Sequence, residues 1–322
     1  MKNKKGIGLK LQHVVMKRVC CVFLLAVVGA YPFAAKGGPA VSLLQSGNVP
    51  AEKAGLTKRE KRPRTTETAQ RSSYEIPRLT VRRSEQILTR EGYTTSYNAQ
   101  TKQANWVAWH LTREHTEGAF RRKGVPYYDA DGQAVGIGRV DKETVRGCYF
   151  VDRSVKRPRQ EHSDWSGARK QNLNHGHLCP AADNRWSKKA MNQSFLLTNM
   201  CPQDIDLNAG DWEKLERRCR GWAKHYGDVY IAAGPVFYGR SRQTMGKNRI
   251  AVPDAFFKVV LCMKGKPKAL GFIYPNDGTP HPMEHYVMTV DEVERVTGID
   301  FFAQLPDNIE RTVEATADLR KW

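Results

Sequence analysis

The sequence predicts one mixed α+β domain over residues 75–322. Short runs rich in aromatic and β-branched residues alternate with Gly, Pro and Asn, as strands between turns do. A single stretch changes period to three- and four-residue steps, as an amphipathic helix does. No internal repeat and no second apolar core interrupts the 322-residue chain.

The elements follow in order. Residues 93–97, 106–111 (Trp-Val-Ala-Trp-His-Leu) and 148–151 read as strands. Over Asp211–Tyr226, the residues Trp212, Leu215, Cys219 and Trp222 form a helical stripe, and Gly227 supplies its stop. Residues 229–233, 256–262 and 269–274 are strand-like again. Thr289 with Glu292 three positions on is a capping box opening a short helix.

The first 36 residues carry seven Lys or Arg and no acid. A basic stretch precedes the apolar run 19–30, and small residues follow at Ala34 and Ala35. That is the order of a secretory signal peptide. The run is too short for a comfortable membrane span, so an uncleaved anchor is the competing reading. Export to the periplasm or medium is expected, with no stable membrane association after cleavage. Cys20 and Cys21 lack the lead-in of a lipidated cysteine. Residues 37–74 read as a linker of low apolar content. Its charge run 58–64 is a solvated tail or an auxiliary nucleic-acid contact.

Net charge is +19 and the pI about 9.7. Without the leader the chain still carries about +12. A surplus this large favours polyanions: nucleic acid, anionic lipid or acidic glycan. Of seven cysteines, Cys148, Cys179, Cys201, Cys219 and Cys262 remain after the leader. An odd count leaves at least one thiol, and Cys179 with Cys201 is the pairing expected here.

The residues able to do chemistry cluster at Asn174-His175-Gly176-His177. Histidine accepts protons near neutrality, and glycine lets backbone approach closely or bend. Asn208 stands at the mouth of the helix, either as an N-cap or as an oxygen ligand for a hard cation such as Mg²⁺, which takes few protein ligands. Glu216 lies eight residues on, about 12 Å along a helix axis and near the same face. It can orient water, or merely pair with Arg220 at i+4. Arg121 and Arg122 are candidates for stabilising phosphate charge.

These residues resemble the DNA/RNA non-specific endonucleases, of the endonuclease G-like kind. The resemblance runs through His-Gly-His with Pro-Ala-Ala-Asp, Phe195 to Gln203, Leu207-Asn208 and Trp212-x-x-Leu-Glu216. It continues in Gly234-Pro235-Val236-Phe237, Gly246-Lys247-Asn248, Val252-Pro253-x-x-Phe256-Phe257-Lys258, Gly271-Phe272 and Glu294-x-x-Thr297-Gly298-x-Asp300-Phe301-Phe302. It implies a ββα-metal fold, a mixed or antiparallel sheet core with flanking helices. It also implies phosphodiester hydrolysis of DNA and RNA with little sequence selectivity, a divalent ion (Mg²⁺ or Mn²⁺), and a homodimer. By position it gives His177 the role of general base, Asn208 that of metal ligand and Glu216 that of water orienter. A phosphate-binding Arg falls near Arg121 or Arg122.

Two positions depart from the family's Asp-Arg-Gly-His. Asn174 replaces its Asp, and His175 its Arg. Asn hydrogen-bonds without charge, and His is cationic only when protonated. If His175 must be protonated while His177 is neutral, the pH optimum is narrow.

Two other readings compete. His175, His177, Cys179 and Cys201 have zinc-ligand chemistry, which would make a zinc-stabilised nucleic-acid-binding module without catalysis. A basic protein binding anionic glycan or lipid explains the charge but not the Asn208–Glu216 pair.

Overall fold

In the computed structural model, the strands used below are β1 (Gln86–Thr89), β2 (Thr94–Asn98), β3 (Gln103–Thr112), β4 (Leu173–His177), β5 (Met200–Asp204), β6 (Asp228–Val236), β7 (Ala255–Cys262), β8 (Lys268–Pro275) and β9 (Val287–Met288). The helices used below are α1 (Ile205–Ala209), α2 (Asp211–Tyr226), α3 (Val290–Thr297) and α4 (Asp307–Glu314). The structure describes residues 73–120, 149–239 and 242–322, with the backbone of the short strands Tyr127–Tyr128 and Ala134–Gly136. The expectations for the leader, most of the linker, Arg121, Arg122 and Cys148 lie outside the described residues.

Seven strands form one sheet in the order β9-β8-β7-β6-β3-β2-β1, and every neighbouring pair is antiparallel. Helices cover both faces. On one, Val107, Trp109, Ile231, Phe256, Val260 and Phe272 pack against Trp212, Leu215, Cys219 and Trp222 of α2. On the other, Trp106, Ala108, Phe257, Val259 and Leu261 pack against Val290 and Val293 of α3 and Val313 of α4. This two-sided burial explains why β7 (Ala-Phe-Phe-Lys-Val-Val-Leu-Cys) reads as a continuous apolar run rather than an alternation.

The helix expected at Asp211–Tyr226 has those bounds, and Gly227 ends it at φ +100°. Its buried Trp212, Leu215 and Trp222 each contribute about 1.5–3 kcal/mol on removal from water. The Thr289–Glu292 capping box is formed in both directions. Residues 148–151 are a correction: in their described part only Phe150 pairs, as an isolated bridge to Leu196. The β4–β5 hairpin carries no strong pattern in the sequence, whereas α4, with Ile309 and Val313 four residues apart on its core face, is an amphipathic helix that the sequence reading leaves out.

Candidate active site

β4 and β5 form their own antiparallel hairpin, which leads directly into α1 and α2. Asn174 faces Gln203, His175 faces Pro202, Gly176 faces Cys201 and His177 faces Met200. Strand alternation puts His175 and His177 on one face and Gly176 on the other. Gly176 does not have a left-handed φ. Its requirement is space: a Cβ there would lie 2.5 Å from the Cβ of Gln203 and 2.2 Å from its Oε1. The far end of β4 is clamped by Asn199, which accepts from the Cys179 N–H at 2.9 Å and donates to the Cys179 carbonyl at 2.9 Å. The His177 carbonyl accepts from Trp212 Nε1 at 3.2 Å, tying the strand to α2.

Asn208 sits inside α1, not at the N-cap of α2. Asp204 caps α1, accepting from the N–H groups of Asp206 and Leu207 at 2.9 and 3.1 Å. Gly210 is the cap position of α2 and breaks the path between the two helices. The axial estimate between Asn208 and Glu216 therefore fails, because the two residues occupy different helices. The Asn208 Nδ2 donates to Asn174 Oδ1 at 2.8 Å. That bond commits the amide nitrogen to β4 and leaves the half-buried Asn208 its Oδ1, a neutral oxygen suited to a hard cation. The residues present thus fit a divalent ion held at Asn208.

Glu216 lies on α2 within the influence of Lys258, Asp183 and Arg220. Burial, opposed first by Lys258 and also by Arg220 and reinforced by Asp183, leaves its carboxyl raised to about 7. Arg220 does not form the expected i+4 pair with Glu216 but binds Asp183 at 3.0 Å. Asp183 also accepts from Trp109 Nε1 at 3.1 Å. Lys258 is wholly buried on β7, its Nζ 4.3 Å from the Trp212 ring centroid and 5.5 Å from that of Trp109. A buried ammonium needs compensation, and here it comes from two indole faces and the nearby carboxylates.

His175 is held between two aromatic rings, 3.9 Å from Tyr149 and 3.7 Å from Trp165, both nearly parallel to it. Its ring faces are covered, so only its edge can address a phosphate. His177 packs edge-to-face on Phe195 at 5.1 Å.

Two expectations fail. Cys179 and Cys201 are both free and buried. The register places Gly176 opposite Cys201, three positions from Cys179. That offset is about 10 Å along a strand, beyond the span of a disulfide. The zinc reading fails with it: Cys201 shares the Gly176 face while the histidines use the other. Burial also holds both thiols well above their ordinary range. Among the described residues, these four do not converge as a ligand group.

The structure thus brings Asn208 against Asn174 on the strand that carries His177, and ties that strand to the helix bearing Glu216. Sequence reasoning missed Asp183, Lys258 and the Tyr149–Trp165 clasp. The lysine inside the otherwise apolar β7 was the available signal for one of them.

A family model described as DNA/RNA non-specific endonuclease matches residues 72–308. Mitochondrial endonuclease G of Bos taurus is 29% identical over 229 residues, covering 67% of this chain and 69% of that protein. Nuclease C1 of Cunninghamella echinulata var. echinulata is 33% identical over 233 residues, covering 68% and 83%. A crystal structure of an EndoG/EndoGI complex superposes with a TM-score of 0.59 at 24% identity, covering 72% of this chain and 90% of that one. The expected ββα-metal fold is thereby found in the hairpin and helix that frame the site. With a matching family model over most of its length, the chain belongs to the DNA/RNA non-specific endonucleases and is an endonuclease.

Proposed function

We propose that the chain is an exported nuclease that hydrolyses DNA and RNA phosphodiesters with little sequence selectivity, using Mg²⁺ or a similar divalent ion held at Asn208. The observation that carries this reading is the hydrogen bond from Asn208 Nδ2 to Asn174 Oδ1, which fixes the Asn208 amide to the strand of His177 and leaves its Oδ1 for a cation. When bound, the ion supplies Lewis-acid stabilisation of the charge that develops on phosphate oxygens.

The chain's own residues do the rest. Neutral His177 removes a proton from the attacking water. Glu216, ionised above about pH 7, orients water beside the phosphate. Asn174 fixes the amide of Asn208. The edge of His175, with Arg121 or Arg122, contacts the phosphate. Contacts to phosphate carry no base information, which accounts for low selectivity. Export rests on the basic leader and the apolar run 19–30, and a homodimer is expected in solution.

Incubation of the mature protein with circular DNA and with RNA, in Mg²⁺ and in EDTA, tests the reading. Cleavage of both in Mg²⁺ alone is the expected result, and full cleavage in EDTA contradicts it. Asn208→Ala should recover activity only at much higher metal concentration. An unchanged metal response removes Asn208 from the site.

A further inference from the structure

On the sheet face opposite α2, two helices meet through their acids. Asp291 and Glu294 lie on α3, and Glu314 is the last residue of α4. One carboxylate oxygen from each falls within 4.8 Å of the others. Glu314 reaches this group from inside the core, with 5% of its surface exposed. Its Oε1 has no hydrogen-bond partner among the described residues. Glu294 uses one oxygen to accept from the Phe301 N–H at 2.7 Å. The charges felt by Glu314 are again carboxylates: Glu294, Glu310, Asp291 and Asp300. Of these, Asp300 is the one with an ion pair among the described residues, to Arg78 at 2.7 Å.

A buried carboxylate without a partner is costly, and close like charges add to the cost. Either protons or a cation must settle it. The spacing suits a cation: oxygens on opposite sides of Ca²⁺ stand roughly 4.6–5.2 Å apart, from bond lengths of about 2.3–2.6 Å. Mg²⁺ demands near-ideal octahedral geometry and shorter bonds, whereas Ca²⁺ accepts irregular sets completed by water. Solvent reaches Asp291, which leaves an entry path and room for those waters.

We propose that Asp291, Glu294 and Glu314 form a Ca²⁺ site, separate from Asn208, that clasps α3 to α4. The site lies across the sheet from α2 and takes no part in catalysis. It fixes the C-terminal helix to the domain. Without the ion the cluster is a poor place for charge.

The test is calorimetric titration of Ca²⁺ into the full mature Asn208→Ala chain, which leaves this site intact, with thermal melts alongside. One equivalent should bind and raise Tm. Adding Asp291→Asn or Glu314→Gln should abolish both effects. Each of these two changes alone should leave Mg²⁺-dependent cleavage unaltered. Asp291→Asn is the safer of the two for folding, because its side chain meets solvent. The proposal is overturned if no Ca²⁺ binds at millimolar concentration. It is equally overturned if Ca²⁺ binding and the rise in Tm survive both substitutions.

Discussion

Asn174 accepts a hydrogen bond from Asn208 at 2.8 Å. A carboxylate in that place can only accept, so it forces the Asn208 oxygen outward. An amide can present either end, and the orientation is less strictly enforced. Asn174→Asp should therefore tighten Mg²⁺ binding by about tenfold, the scale on which groups supporting a ligand act. Calorimetry on the two proteins checks this, and weaker binding by the aspartate variant would contradict it. Glu216 carries a second prediction. Its carboxyl is raised to about 7, so activity should fall as pH drops through 7 and the group is protonated. Lys258 lowers that value, so Lys258→Met should move the acid limb to higher pH. A pH–rate profile with an unmoved limb would separate Lys258 from Glu216. The stability sign is opposite to the activity sign. A raised carboxyl favours the fold below about pH 4.5, and that contribution is lost as pH rises through 7.

At the scale of elements, legibility followed burial pattern. The stripe of α2 was readable because Trp212, Leu215, Cys219 and Trp222 face one core while charged residues face away. The β4–β5 hairpin was not. Leu-Asn-His-Gly-His and Met-Cys-Pro-Gln-Asp are short and polar, and their order comes from side chains distant in sequence. Asn199 holds the Cys179 backbone, and Asn276 accepts from the Asp204 N–H at 2.7 Å. Asn208 looked like a helix cap because only the break at Gly210 separates α1 from α2. Gly176 is the most exacting position in the hairpin. Gly176→Ala meets Gln203 at 2.2 Å and should cost about 1–3 kcal/mol while displacing His177. A lowered Tm together with a lowered kcat is the expected outcome. A variant with wild-type values for both would show that the two strands can part freely.

At the scale of the molecule, the sheet is buried on both faces, and the hairpin with α1 and α2 carries the proposed site. The family match covers residues 72–308, so the composition-level alternatives of glycan or lipid binding are not needed to explain the charge. In a nuclease, a basic surplus of 52 Lys and Arg against 33 acids is expected to favour capture of a phosphate backbone. Binding of nucleic acid by such a surface releases counterions and weakens steeply with salt. Cleavage at limiting substrate should fall sharply between about 50 and 200 mM salt, read as kcat/KM on plasmid DNA. A salt-independent rate would mean that the positive charge plays no part in capture.

His177 is where residue, hairpin and molecule meet. The decisive measurement is the single-turnover cleavage rate of plasmid DNA by purified, folded His177→Ala at saturating Mg²⁺. The rate should fall by about 10²–10⁴-fold, the usual contribution of a general base. Substrate binding and the melting curve should stay close to wild type. Cleavage at the wild-type rate by that variant would show that His177 is not the base.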